Sequence, residues 1–232
     1  GILPGRLKLE RIARSLLQEA SDVHGSEREK LLLCAYAYAA CEENASGGMS
    51  VTAPTLGSSG LLPALLYYYY YDLKYQRETL VEGLKVAGVI GNLIKHNATI
   101  SGAQGGCQAE IGTASAMAAG ALVSLRGGTN EQIGHAVAMA LKNLMGLVCD
   151  PVAGLVEVPC VKRNVIGAVN AISAADMALA GIESRIPVDE VIDAMGEVGR
   201  RMPVEFRETA LGGLAATPTG KAVKERMPHG AQ

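Results

Sequence analysis

The sequence predicts an all-α protein, and three observations support that prediction. Apolar residues recur every three to four positions along most of the chain, which is the spacing of one helix face. The chain is 49% hydrophobic but has one Phe and no Trp, so small and aliphatic side chains supply most of that content. Its 28 glycines add to the small residues that let helices approach closely. A short β-hairpin around residues 51–53 remains compatible with the pattern.

The N-terminal part predicts two helices. Apolar positions from 7 to 20 have helical spacing. Ser26 is the expected N-cap of a second helix that runs to about residue 43. Cys34 and Cys41 are seven residues apart in that helix and therefore lie on one face. We interpret both as core residues, because a free cysteine behaves as a small apolar side chain.

Residues 44–60 are rich in glycine and hydroxyl side chains and predict a loop. Such a loop can present backbone amides and hydroxyls to an anionic ligand, or it can be an ordinary connection. The helix expected at 61–75 contains five consecutive tyrosines at positions 67–71. Five adjacent rings on a helix point in all directions, so some must be exposed or meet another chain. We expect a homodimer contact there.

The rest of the chain continues the helical pattern. Thr129, with Gln132 three residues later, predicts a capping box. The helix after Cys107 consists almost entirely of small residues and should lie at the centre of the fold. The tail from 208 to 232 is expected to be irregular and to end in a short helix. The expected helices cover residues 78–95, 107–125, 130–146, 163–181 and 188–202.

Composition limits the function classes. A chain of 232 residues is predicted to form a single helical domain over 1–232. A net charge of -2 without a basic block argues against nucleic-acid binding. No uninterrupted apolar run is long enough to predict a membrane span. Five cysteines without a secretory signal indicate reduced thiols in a cytoplasmic protein. The start at Gly1 rather than Met indicates a piece of something longer.

Three cysteines carry the candidate chemistry. Cys149 and Cys160 flank a stretch that contains Pro151 and Pro159 and cannot continue a helix. Cys107 follows a glycine-rich turn in the same way. Spacing alone leaves three interpretations open: buried or incidental thiols, an iron–sulfur cluster with three protein ligands and one open iron, or a zinc site. The close cysteine pairs of structural zinc sites are missing.

Several segments resemble the alpha, or catalytic, part of the iron–sulfur-dependent L-serine dehydratases (L-serine ammonia-lyases). The resemblance extends from about residue 5 to 216 and is most specific around the last two cysteines. The segments are Asn44–Gly48, Val51–Thr55, Asn97–Ala103, Gly106–Glu110, Gly146–Gly154, Val158–Asn164 and Phe206–Ala215.

The resemblance implies a lyase with a mostly helical catalytic part. In that family three cysteines hold a 4Fe–4S cluster, and by motif they correspond to Cys107, Cys149 and Cys160. The open iron acts as a Lewis acid on the serine hydroxyl, a base removes the α-proton, and the resulting aminoacrylate hydrolyses to pyruvate and ammonia. Such an enzyme takes part in amino-acid degradation and gluconeogenesis. Lys95, just ahead of the Asn97 motif, is the candidate base, provided that desolvation lowers its pKa.

Further residues in these motifs are candidates for binding the small amino-acid substrate. Arg163 suits a carboxylate because its guanidinium has a bidentate fork. The candidates are Ser46, Thr52, Thr55, Asn97, Ser101, Lys162, Arg163 and Asn164. The resemblance also implies a beta domain or subunit as a partner, and we expect that part to be absent from this chain.

Three positions depart from the family pattern: Leu56, Gln104 and Asn143. They lie close in sequence to the motifs that would form the pocket. An alternative is therefore a non-catalytic homologue, or one that uses another β-hydroxy amino acid and keeps the fold.

Overall fold

The computed structural model describes residues 1–227 and confirms the all-α prediction. These residues form ten α-helices and no β-sheet. The only strand-like pairings among them are two isolated bridges, Ile2 with Glu10 and Cys149 with Arg207, so the hairpin at 51–53 does not form. The helices are α1 (Ala13–Glu19), α2 (Gly25–Ala45), α3 (Leu61–Tyr71), α4 (Arg77–Asn97), α5 (Gly102–Gly105), α6 (Thr113–Leu125), α7 (Asn130–Leu144), α8 (Cys160–Leu179), α9 (Val188–Arg201) and α10 (Pro218–Glu225).

Helix α6 is the centre of the fold, as its small residues predict. All of its residues except Ser124 are buried, and it packs against α4, α7 and α8. Glycine allows one of these contacts, because a Cβ on Gly120 would lie 2.2 Å from Ile90 Cδ1 of α4. The apolar core therefore surrounds a helix with no hydrophilic face.

The other helices form layers around this centre. Helices α2 and α3 pack on α8, α9 packs on α7, and α10 contacts the short 3₁₀ turn Val152–Gly154. Two connections meet the core between these layers. One runs from α5 through a π-helix at Gln108–Gly112 into α6, and the other joins α7 to α8 over residues 145–159. The first connection carries Cys107 and the second carries Cys149, and Cys160 follows the second as the first residue of α8.

Some helix boundaries differ from the prediction. The first helix begins at Ala13 rather than near residue 7, because the preceding segment folds back on itself and the Leu3 amide donates to the Leu9 carbonyl. Helix α2 begins at Gly25, so Ser26 lies inside its first turn and does not cap it. The capping box is confirmed: Thr129 accepts from the Gln132 amide, and the Gln132 side chain accepts from the Thr129 amide.

Within the described residues, some rings of the tyrosine run are exposed as expected, and the tail is irregular as expected. Tyr68 and Tyr69 are buried, whereas the other three tyrosines of the run are 40–51% exposed. The tail is largely irregular and ends in α10. The last part of the predicted tail, residues 228–232, lies outside the described residues. Along residues 1–227, no helix combines the length and the apolar character that crossing a bilayer requires.

Candidate metal centre

Cys107 lies between α5 and the π-helix, where backbone and side-chain bonds hold it. The preceding Gly106 has φ +75°, and a Cβ there would lie 2.9 Å from the Leu147 carbonyl oxygen, so a glycine is required. Gln108 is buried, accepts from the Gly146 amide at 2.9 Å and donates to the Met195 carbonyl of α9. Cys107 is therefore attached to the α7–α8 connection on one side and to α9 on the other.

Cys149 is held by the segment that follows α9. Its amide donates to the Phe206 carbonyl and its carbonyl accepts from the Glu208 amide, both at 2.8 Å. Its side chain is buried. This parallel pairing supplies backbone hydrogen bonds to Cys149 and brings residues 206–208 to the candidate site.

The Cys107 and Cys149 sulfurs and one carboxylate oxygen of Glu110 all lie within 4.8 Å of one another. A hydrogen bond from Cys149 lowers the pKa of the Cys107 thiol, and Arg163 lowers it further. The same hydrogen bond, together with burial, raises the pKa of Cys149. The adjacent Arg163 guanidinium therefore favours the ionised form of the Cys107 thiol. This group of three side chains could hold a metal ion.

Arg163 supplies the positive charge next to the thiols. One terminal nitrogen donates to the Val148 carbonyl at 2.8 Å and contacts Cys107 Sγ at 3.4 Å. The other donates to Asp150 Oδ1 at 2.9 Å, and Asp150 is buried. Asp150 Oδ2 also accepts from the Leu214 amide at 2.8 Å. Arg163 therefore links the Cys107 thiol to a buried ion pair, and its predicted contact with a substrate carboxylate stays a prediction.

Glu110 is the site residue that the sequence reasoning missed. Thr55 Oγ1 donates to Glu110 Oε1 at 2.7 Å. Burial raises the pKa of Glu110, the Thr55 bond opposes this effect, and the charge of Glu208 adds to it. A Cβ on Gly102 would lie 2.6 Å from Glu110 Oε2 and 3.3 Å from Cys149 Sγ. Glu110 Oε2 therefore faces the same space as the Cys149 sulfur.

Cys160 is the first residue of α8 and is buried. It does not belong to the closely spaced group, although the Cys107 and Glu110 charges act on it. Its pKa is raised to about 12, mainly by burial. Asn164, one turn later, donates to the Cys160 carbonyl and the Gly57 carbonyl. That amide attaches the start of α8 to the glycine-rich loop.

The structure brings only some of the predicted substrate residues to this group. Thr55 contacts the group through its bond to Glu110, whereas Asn164 bonds the Gly57 and Cys160 carbonyls and Ser101 lies directly ahead of α5. Ser46 instead lies at the end of α2, where it donates to the Glu42 carbonyl. The exposed members of the predicted set are Thr52, Asn97 and Lys162. Their predicted roles stay predictions.

Two further predictions concern residues outside the group. Lys95 is exposed in the last turn of α4, so in this chain it lacks the desolvation that a lysine base requires, and its role stays a prediction. Cys41 is buried, and Cys34 packs beside a small cluster of Ala37, Ala64 and Val165. Both therefore occupy packing positions in α2.

Comparison with known proteins matches the sequence of this chain to a family. The family model described as serine dehydratase alpha chain matches residues 1–215. A probable L-serine dehydratase alpha chain of Bacillus subtilis is 56% identical over 195 residues, covering 84% of this chain and 65% of that protein. The corresponding protein of Latilactobacillus sakei is 56% identical over 191 residues, covering 82% and 91%.

The L-serine dehydratase of Streptomyces coelicolor is 47% identical over 220 residues, covering 93% of this chain and 48% of that protein. The chain thus spans about half of this relative and about two thirds of the Bacillus protein. The family match covers both connections that carry the thiols, together with the loop that contains Thr55. The chain belongs to the serine dehydratase alpha chain family.

Proposed function

We propose that this chain is the catalytic alpha part of an L-serine dehydratase and converts L-serine to pyruvate and ammonia. The observation that carries the proposal is the buried pair of Cys107 and Cys149 beside Glu110 and Arg163, in a chain of this family. The relatives are named L-serine dehydratases, and the same activity is inferred here.

The donor set fits an iron–sulfur cluster. Cys107 and Cys149 are buried in the two connections that meet at the core, and Cys160 is buried at the start of α8. Thiolates are the usual protein ligands of such clusters, and Arg163 compensates part of their negative charge. We propose that these three cysteines hold a 4Fe–4S cluster. When bound, that cluster supplies Lewis-acid chemistry that helps a hydroxyl group to leave.

Residues of this chain would transfer protons and hold the Glu110 carboxylate in position. Thr55 occupies Glu110 Oε1, which leaves Oε2 on the side of Cys149 to hold or release a proton. Dehydration moves the α-proton and the hydroxyl group of serine into one water molecule, and the aminoacrylate that remains hydrolyses to pyruvate and ammonia. We propose that Glu110 carries a proton during these reaction steps. Lys95 is the second candidate for the base if a partner covers it.

Two partners belong to the proposal. The family name implies a beta part, and its docking would supply the burial that Lys95 lacks in this chain. The exposed rings of Tyr67, Tyr70 and Tyr71 are the proposed contact of a homodimer. Reduced thiols are required throughout, which fits a cytoplasmic enzyme.

Anaerobic purification with the beta part, followed by assays of iron, acid-labile sulfide and pyruvate formation, tests the proposal. We expect about four irons per chain when the cluster is intact and turnover of L-serine in preference to L-threonine. Preferred turnover of L-threonine would assign the chain to another β-hydroxy amino acid. A full cluster without turnover of either would reject the catalytic role.

A further inference from the structure

A cavity of about 340 Å³ lies apart from the candidate metal centre. It is bounded by the N-terminal segment, by α2 and by the last residues before α8. Its walls are mostly apolar, and a cavity of this volume is in the range of small-molecule sites. The apolar walls include Leu3, Leu9, Ile12, Tyr38, Val158 and Val161.

The charged side chains that line the cavity are mainly acidic. Three are carboxylates, Glu10, Glu42 and Glu157, and one is the ammonium group of Lys162. Glu42 already accepts two backbone amides at the start of α1, at 2.7 and 3.0 Å. Lys162 is exposed, so water can solvate its charge. The acidic excess therefore favours a cationic ligand.

Glu157 is the carboxylate in this cavity with a buried oxygen, Oε2, that no donor from the described residues reaches. Burial raises the pKa of Glu157. Glu157 is partly exposed, but a buried carboxylate oxygen without a donor is costly. A ligand that brings a donor and a positive charge would remove that cost.

We propose that this cavity binds a compact hydrophobic primary amine, whose ammonium group donates to the Glu157 carboxylate while its hydrocarbon body fills the apolar walls. The bound amine would contact Val158 and Pro159, directly ahead of Cys160. The cavity is separate from the cluster of Cys107, Glu110 and Cys149. Amine binding there does not depend on the reaction proposed for that cluster.

Cyclohexylamine and cyclohexanol are matched probes, because they share a ring and differ in one group. The amine is protonated at neutral pH, as a lysine side chain is, and the alcohol is not. Titration calorimetry on the full-length native protein should show saturable binding of the amine and binding at least tenfold weaker for the alcohol. A charge-assisted hydrogen bond has an effect of this size.

Two variants of the cavity and one control make the test specific. Glu157→Gln should weaken amine binding at least tenfold by removing the charge. Ala45→Phe should abolish binding by filling the cavity that Ala45 lines. Glu183→Gln changes an exposed carboxylate outside the cavity and should leave the affinity unchanged.

Three results would each overturn the proposal: no saturable binding of the amine, equal affinity for the alcohol, or full affinity in Glu157→Gln. Thermal unfolding with and without amine gives a second readout. Ligand binding to the folded state must raise the midpoint of the native protein and of Glu183→Gln. A midpoint that the amine does not raise in these two proteins would also reject the site.

Discussion

Thr55 Oγ1 donates a 2.7 Å hydrogen bond to Glu110 Oε1 and so connects the glycine-rich loop to the π-helix beside the thiols. The two residues are 55 positions apart in sequence. The bond fixes one carboxylate oxygen and leaves Oε2 facing the same space as Cys149 Sγ. The bond therefore orients the one carboxylate among the candidate ligand atoms and partly opposes the rise in its pKa that burial causes.

Replacement of Thr55 by Val should raise the pKa of Glu110. The hydrogen bond lowers that pKa by stabilising the charged carboxylate, so its loss favours the protonated form. In the pH profile of serine turnover, the inflection that depends on Glu110 should move to higher pH. Thr219→Val alters an exposed residue of α10 and should leave the profile unchanged. An unmoved inflection in Thr55→Val would contradict the role given to this bond.

The importance of Glu110 could not be predicted from its place in the sequence. It was part of a recognised motif, yet nothing distinguished its carboxylate from a solvated one. Its role depends on the π-helix that turns it toward Cys149 and on Thr55 from a distant loop. The three cysteines were predictable as candidates because glycines and prolines around them excluded continuous helix.

The helices, too, were predictable where neighbouring residues determine them and not where a contact between separated residues does. The burial of α6 follows from its own small residues, and the capping box at Thr129 is encoded within four residues. The helix predicted from residue 7 was wrong in its first turn and a half, since the Leu3–Leu9 backbone bond competes with helix formation there. The spacing of apolar residues does not reveal a backbone hydrogen bond that competes with the helix.

Glu110→Gln should lower serine turnover by about 10²-fold or more, the usual effect of losing an acid–base group. The amide keeps the shape and can still accept from Thr55, so iron and sulfide content should stay at the wild-type level. Glu78→Gln, an exposed change in the first turn of α4, is the control. Wild-type turnover in Glu110→Gln would exclude a proton-carrying role, and loss of iron would make Glu110 a ligand instead.

Replacing any one of Cys107, Cys149 and Cys160 by Ala should abolish the visible absorbance of the cluster and the acid-labile sulfide. Cys34→Ala and Cys41→Ala should retain both, because those thiols pack within α2. Anaerobic absorption spectra and sulfide assays give the comparison. An intact cluster in Cys149→Ala would reject the ligand assignment.

Glu157→Gln should change the pH dependence of stability. Burial raises the folded-state pKa of Glu157 above its ordinary value of 4.5, so the folded protein binds this proton more tightly than the unfolded chain does. The stabilising effect is complete below pH 4.5 and is lost as pH rises through the folded-state pKa. The variant should therefore gain stability relative to wild type at pH 8, and the gain should shrink toward pH 5. Urea unfolding at both pH values measures it, and a gain independent of pH would contradict this account.

Gly106→Ala should destabilise the protein by about 2 kcal/mol, because the residue has φ +75° and the added Cβ would lie 2.9 Å from the Leu147 carbonyl oxygen. That carbonyl belongs to the backbone and accepts from the Gln108 amide, so relief of the clash would displace Cys107. Gly88→Ala is a control of opposite sign. Apart from the local backbone of α4, no atom lies within 4 Å of the added Cβ on this exposed face, and stability should rise by about 0.5–1 kcal/mol. Urea unfolding of both variants measures the difference. Equal effects at the two glycines would contradict the requirement for a glycine at position 106.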